Sequence, residues 1–443
     1  MPAVDEAEAC RVARQFRVGI GEQIVRAVRI PSGFSGAEVY RCDASGSSVQ
    51  RQRAWALKRY PVGTTRERVT IIHQWMTAVH QHGCELVPLL AQTGPDRATW
   101  VETKSSGPPL SEENKETYFW ELSQWMPGAP IDVRHEGKTD AIAFPRSAIE
   151  ADRCSHADNS PNHDSRRHQA VPHSSMDFLL SQIRAGAKAI GQVHSCSRNE
   201  GQDQAIAPAV KERHLRLTQL PNRLAAMHRA DLRRATFGDE HQFSDQILRP
   251  SMDVLTRAIS VHLSAMLQRM QSWKEQRTTR HWVLRDVHDG HVLFESNRGT
   301  SQVSSIIDFD AIRFDTPSAD VSRWATSFLG IPFPGGTASS DAHGPNFTSR
   351  PAIQGIGEPG SQNWENRVWE SVLAGYRMAC PLSKSQEMLA RDLAFVSPLI
   401  SLANWCDWLI LQRRTFSAGI ETVSQRMEKL FRQCSVAYRA GEH

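Results

Sequence analysis

Residues 281–294, HWVLRDVHDGHVLF, and residues 304–315, SSIIDFDAIRFD, decide how the rest of this chain is read. In each, an apolar run of strand character delivers an acid at its end: Asp286 in the first and Asp308 in the second. Asn297-Arg298-Gly299 between them is turn material. Folded as neighbouring strands, the two segments would hold Asp286 and Asp308 near one another. Phosphoryl transfer needs such a pair: one carboxylate orients the attacking hydroxyl and takes its proton, and another holds the Mg2+ that neutralises the triphosphate. Either acid taken singly is more often an ordinary turn residue. The two strings together, in this order and at this spacing, carry the reading.

Upstream, residues 24–58 alternate β-branched and apolar runs with Gly and Ser turns, the pattern of a β-meander. A helix follows, capped by Thr64 or Thr65, with Val69, Ile72 and Met76 on one face. Two further strands are expected around Thr99–Thr103 and Tyr118–Trp125. Residues 131–175 are polar and without periodicity, as an inserted mobile loop would be, and 331–362 are crowded with Gly, Pro and Ser. Helical patterns fill most of the remainder: 176–194, 213–227, 246–276 and 364 onward. Phe395–Leu411 is the most apolar long stretch. Pro398, Asn404 and Asp407 interrupt it, so it reads as a buried or amphipathic helix rather than a membrane span.

Composition sets outer bounds. The 443 residues carry 23% charged and 40% hydrophobic side chains, ordinary for a globular chain, and a formal net charge of only +4. Nothing there argues for nucleic acid, which calls for a basic stripe. Eight scattered cysteines without a C-x-x-C pair fit reduced thiols in the cytoplasm. The acidic N-terminus has no apolar segment of the kind a secretory signal needs. His156, His163, His168 and His173 with Cys154 are a metal-ligand inventory, but their polar surroundings read first as a solvated linker.

The catalytic string LRDVHDGHVL resembles the HGDxHPGNVL loop of the aminoglycoside phosphotransferase and choline kinase-like small-molecule kinases, and Ile307-Asp308-Phe309-Asp310 resembles their IDFD strand. Asp315-Thr316-Pro317 with Asp320-Val321 matches the downstream DPxxDL. The resemblance implies Asp286 as the catalytic acid and Asp308 as a metal ligand. His291 stands where the family has a metal-binding Asn, and Arg285 where it usually has Gly. An imidazole nitrogen suits Mg2+ poorly, so His291 either accepts a softer ion such as Mn2+, pairs with a phosphate, supports Asp308, or marks a weakened site.

Weaker matches agree. Gly33-Phe34-Ser35-Gly36 looks like the nucleotide loop, with Gly33, Ser35 and Gly36 letting backbone N–H groups approach phosphates, although a plain hairpin turn reads the same way. Lys58 resembles the strand lysine that holds the α- and β-phosphates, and Glu67 is its possible partner, or else a charge suited to a helix N-terminus. Trp120–Gly128 resembles the hinge, where backbone groups near Gln124 to Met126 would bond the adenine edge.

The resemblance implies a protein-kinase-like α+β fold in two lobes: β-rich N-terminal, mainly helical C-terminal. The expected divisions are an extension (1–23), a nucleotide-binding lobe (24–128), a loop (129–175), a catalytic lobe (176–330), a second loop (331–362) and C-terminal helices on the acceptor side (363–443). The implied activity is transfer of the γ-phosphoryl group from ATP, with Mg2+ or Mn2+, to a hydroxyl of a small molecule. No APE-like segment follows DFD, which disfavours a protein substrate. The alternatives are a kinase-like nucleotide-binding module with little or no activity, and a helical interaction protein that binds no nucleotide.

Overall fold

The computed structural model describes residues 6–30, 36–46, 53–94, 96–104, 116–131, 175–230, 247–297, 300–331, 359–414, 416 and 419–439. Gly33, Ser35, most of both expected loops and the Cys154–His173 inventory lie outside the described residues.

In chain order the elements are α1 (Glu6–Ala13), β1 (Phe16–Arg17), β2 (Gln23–Ile30), β3 (Glu38–Ser45), β4 (Ala54–Arg59), α2 (Arg66–Gln81), β5 (Gln92–Thr93), β6 (Trp100–Lys104) and β7 (Thr117–Gln124). Then come α3 (Ser175–Ser197), β8 (Asp203–Ala205), α4 (Pro208–Arg229), α5 (Arg249–Lys274), β9 (Thr278–Val283), β10 (Val292–Asn297), β11 (Thr300–Ile306) and β12 (Arg313–Asp315). Helices α6 (Ser318–Thr326), α7 (Pro359–Arg377), α8 (Lys384–Ile410) and α9 (Ile420–Arg439) complete the chain. The result is a mixed α+β fold, β-rich in its first part and mainly helical afterwards.

The N-terminal sheet runs β2-β3-β4-β7-β6, antiparallel throughout. β3 and β4 alternate while β7 is buried on both faces, and Tyr40, Leu57, Trp120 and Leu122 share a core with α1, whose Ala9, Val12 and Ala13 are fully buried. Residues 6–13, read from sequence only as extension, are therefore part of this core.

Helix α2 begins where Thr65 caps it, accepting Arg68 N–H at 3.2 Å. Its Val69, Ile72 and Met76 stripe is buried in a second core shared with α3, α7 and the β10-β11 hairpin, including Val292, Phe294, Ile306 and Phe309. That shared core couples the two lobes. Helices α3 and α7 approach closely: a Cβ on Gly375 would stand 2.1 Å from Arg184 O. A third core joins α4, α5, α8 and α9. Helix α8 is long and apolar enough to cross a membrane, yet most of it is packed inside the protein. A capping box of Ser383 and Gln386 starts it.

The strands that deliver the two acids are not neighbours in one sheet, contrary to expectation. β9 lies between β12 and β8, while β11 pairs with β10. Asp286 and Asp308 are brought together by the loops that follow β9 and β11.

Candidate active site

The loop after β9 is shaped by Asp320, at the start of α6. Its carboxylate accepts the backbone N–H of Leu284 at 2.6 Å and of Arg285 at 2.7 Å, and meets His194 Nε2 at 2.8 Å. Arg285 has φ 68°, the left-handed region that Gly enters without strain. This accounts for a residue type with no Cβ suiting the position. Here the guanidinium compensates, pairing with buried Asp315 and with Glu212. Asp320→Ala would leave one buried and one half-buried amide donor unsatisfied and His194 without its carboxylate, so a loss of about 3–5 kcal/mol in unfolding free energy is expected. Urea melts check this; a loss below about 1 kcal/mol removes Asp320 as the support of the loop.

Asp286 emerges from this loop half-exposed, with Oδ1 paired to Arg323. Its carbonyl oxygen accepts His291 Nδ1–H at 2.8 Å. The other ring nitrogen, Nε2, stands 3.6 Å from Asp308 Oδ2. His291 therefore spans the two acids. Asp308, at φ 65°, is a second non-Gly residue held left-handed, and such backbone strain concentrates at functional sites.

Lys58 Nζ reaches across from β4 to Asp308 Oδ1 at 3.2 Å and Asp310 Oδ1 at 2.6 Å, with Tyr60 beneath it. Burial opposes the lysine's charge, but Asp308, Asp310 and Glu121 outweigh it and hold the ammonium above the usual range. Burial also opposes the charge of Asp308, yet Lys58 and His291 bring its carboxyl down to about 2. Asp310 moves the other way, pushed up by burial and by the charge of Asp308 against the pull of Lys58. Two carboxylates sharing one ammonium are driven apart in this manner.

Glu67 is exposed and is not a partner of Lys58, so the expected pair is not formed. The α2 residue that faces the site is the next one, Arg68, which donates to the backbone oxygens of Asp310 and Ile312. In the expected hinge, Gln124 N–H is committed to Leu89 O at 2.8 Å and Trp125 N–H to Ala54 O at 3.1 Å. Met126 makes no hydrogen bond among the described residues, leaving its N–H and C=O as the free edge. Gly128 fixes the crossing to the second lobe, because a Cβ there would lie 2.8 Å from Phe294 O. Next to it, Ala129 pairs with Phe294. Gly36 has φ 78° and open space around it.

Sequence reasoning missed Arg323, Asp310 as a lysine partner, and the packing of His288 on His291, ring centroids 3.7 Å apart. Arg323 was accessible in principle, since it lies one helical turn after Asp320 and so faces the same loop. Asp286, His288 and His291 can place one donor atom each within 4.8 Å of one another. His288 fits a metal poorly, however: its Nδ1 accepts Gly290 N–H at 3.0 Å, so the neutral ring carries its proton on Nε2. Burial holds its pKa down at about 4, keeping the ring neutral. His291 is the converse: its Nδ1 donates to Asp286 O, and Nε2 is the ring nitrogen turned toward Asp308. A 3.6 Å gap between nitrogen and carboxylate oxygen is what a divalent cation with bonds of about 2.0–2.2 Å would bridge.

The chain belongs to the phosphotransferase enzyme family, whose pattern it matches over residues 26–352. No curated protein matches it in sequence. Among solved structures it is similar to an aminoglycoside phosphotransferase from Alicyclobacillus acidocaldarius, with 13% identity, 99% of this chain and 94% of the other covered, and a TM-score of 0.48. An amicoumacin kinase in complex with AMP-PNP, Ca2+ and Ami is 12% identical, with 97% and 93% covered and a TM-score of 0.49. A microcompartment-associated aminopropanol kinase is 14% identical, with 98% and 96% covered and a TM-score of 0.47.

Proposed function

We propose that the chain transfers the γ-phosphoryl group of ATP to a hydroxyl of a small molecule, acting in the cytoplasm. The observation that carries this is the continuous line from Lys58 through Asp308 and His291 to Asp286. On this reading Met126 bonds the adenine edge and Lys58 turns from its carboxylates to the phosphates. Asp286 Oδ2, the oxygen not given to Arg323, orients the acceptor hydroxyl and accepts its proton. Residues 33–36 would offer backbone N–H groups to the triphosphate.

Asp308 and His291 would hold a divalent cation, which when bound supplies positive charge to the phosphates. A mixed oxygen and nitrogen donor pair favours Mn2+ over Mg2+. His291→Asn restores an all-oxygen pair, and the expected result is an inverted preference: Mg2+-supported turnover rises about tenfold relative to Mn2+, with Mn2+ affinity, read by electron paramagnetic resonance, falling by a similar factor. An unchanged metal preference removes His291 as a ligand.

The general test is thermal stabilisation by ATP with each metal, followed by ATP consumption across a hydroxylated-metabolite panel. Absence of stabilisation overturns the proposal. A second reading, a nucleotide-binding module of little activity, is favoured by Arg323 on the catalytic carboxylate; stabilisation without ATP consumption for any acceptor selects it.

A further inference from the structure

Next to Arg323, the partner of Asp286, lies a cleft between the end of α6 and the helices α8 and α9, lined by His288, Arg323, Ser401, Arg426, Lys429 and Gln433 among others. Among the described residues that line it, three are basic, Arg323, Arg426 and Lys429, and none is a carboxylate. Two of the cations are balanced: Arg323 by Asp286, and Lys429 by Asp289 at 2.6 Å. Arg426 makes no hydrogen bond or ion pair among the described residues. A further guanidinium, Arg213, stands behind the wall and holds Ser397 Oγ at 2.9 Å. Burial, with Arg285 and Arg323 adding to it, brings Arg213 down to about 9.

Arg426 is half-buried with no direct ion pair among the described residues, which is costly for a guanidinium, and an anion that pairs with it in a charge-assisted, two-pronged contact offsets that cost. An ammonium-bearing acceptor has the opposite requirement, a carboxylate free to pair with it, and the two carboxylates nearest the cleft, Asp286 and Asp289, are each already paired with a cation. Resting on the phosphotransferase reading, we propose that the acceptor is an anionic hydroxyl compound, with its carboxylate or phosphate on Arg426, flanked by Lys429 and Arg323, and its hydroxyl at Asp286. The Ser401 hydroxyl offers a hydrogen bond to the remainder of such a molecule, while Gln433 Nε2 is held by Thr326 O.

Burial and the charge of Arg323 press Arg426 below the usual arginine range, and the carboxylates of Asp289 and Asp286 offset this only in part, so a further anion is favoured at the guanidinium. Arg323 then has two roles in one place. It carries the catalytic carboxylate on one side and faces the incoming anion on the other.

The test is calorimetric titration of the full chain saturated with AMP-PNP, which keeps added anions off the nucleotide site. Four probes of similar carbon skeleton are compared: glycerate and glycerol 3-phosphate, neutral glycerol, and the amino alcohol 3-aminopropane-1,2-diol. The expected result is that one or both anions bind at least about tenfold tighter than glycerol, with the amino alcohol weakest. Which anion wins separates a carboxylate from a phosphate as the docked group. Arg426→Gln should remove that preference while AMP-PNP affinity stays within about twofold, and Arg426→Lys should recover part of it. Equal or absent binding across the four probes, tighter binding of the amino alcohol, or anion binding that survives Arg426→Gln overturns the inference. So does Arg426→Gln weakening AMP-PNP instead, which would assign the cluster to the nucleotide's own phosphates. Failure of AMP-PNP to bind at all removes the proposed function instead, and the same titration on the free chain still reads the cleft.

Discussion

Asp286→Asn is expected to lower turnover by about a hundred- to ten-thousand-fold while leaving nucleotide affinity within about twofold of the unaltered chain. The substitution keeps the shape of the side chain and removes its basicity. The structure gives it little else to disturb: the carboxylate is half-exposed, its side-chain partner is Arg323, and the contact from His291 goes to the backbone carbonyl. A partly exposed ion pair is worth roughly 0–1 kcal/mol, so the fold should stand. None of the groups assigned to ATP, namely Lys58, Asp308 and Met126, touches the Asp286 side chain. The measurement is steady-state ATP consumption with the best acceptor of the panel, alongside calorimetric AMP-PNP binding. Turnover within tenfold of the unaltered chain would remove Asp286 as the base, and a parallel loss of nucleotide affinity would move it into the ATP site.

Much of this arrangement was legible in the sequence, and the reason is locality. The acids sit in two short strings whose order and spacing are preserved whatever the rest of the chain does, and the Val69, Ile72 and Met76 stripe shows in a helical period. What was not legible depends on which face of an element meets which neighbour. Glu67 and Arg68 are one residue apart, which is 100° around α2, and only the packing of that helix on the segment after Asp308 decides that Arg68 faces inward. Strand partners were lost for the same reason: β9 and β11 each have apolar strand character, but nothing in either string says that β9 pairs with β12 and β11 with β10. Arg323, Arg426 and Lys429 look in sequence like the solvated charges of amphipathic helices. They become one cluster only when α6 and α9 are brought side by side.

The departure at Arg285 shows how a local rule and its exception coexist. The position requires a positive φ, and a Gly would enter it freely. Arg enters it at a cost of about 1–3 kcal/mol, against which stand the Asp315 and Glu212 pairs and the grip of Asp320 on the amide. A reading by residue type alone flags the substitution as a loss. The geometry makes it a compensated exchange.

Asp308→Asn is expected to abolish the metal dependence of nucleotide binding and to reduce turnover by about a thousandfold or more. Asparagine is the informative replacement because Asp308 sits at φ 65°, a region that Asn and Asp both tolerate, so the backbone is not asked to change. Three consequences follow from the lost charge. A divalent cation held as proposed would keep His291 but lose its carboxylate, Lys58 keeps only Asp310 as an ion-pair partner at 2.6 Å, and Asp310 is freed from the neighbouring charge that pushes its own pKa up. Lys58 should therefore stay in place, and nucleotide binding without metal should change little. With Mn2+ present, the unaltered chain should bind AMP-PNP at least about tenfold tighter than without it, and the variant should show no such gain. The pH profile offers a control. A carboxyl held down at about 2 is ionised throughout the working range. Its contribution to stability is present above the unfolded value near 4 and is lost only as the pH falls toward 2, so any activity loss between pH 8 and 5 belongs to another group. If the Mn2+ gain persists undiminished in Asp308→Asn, the cation is held elsewhere, and the Asp286, His288 and His291 cluster is the place to look.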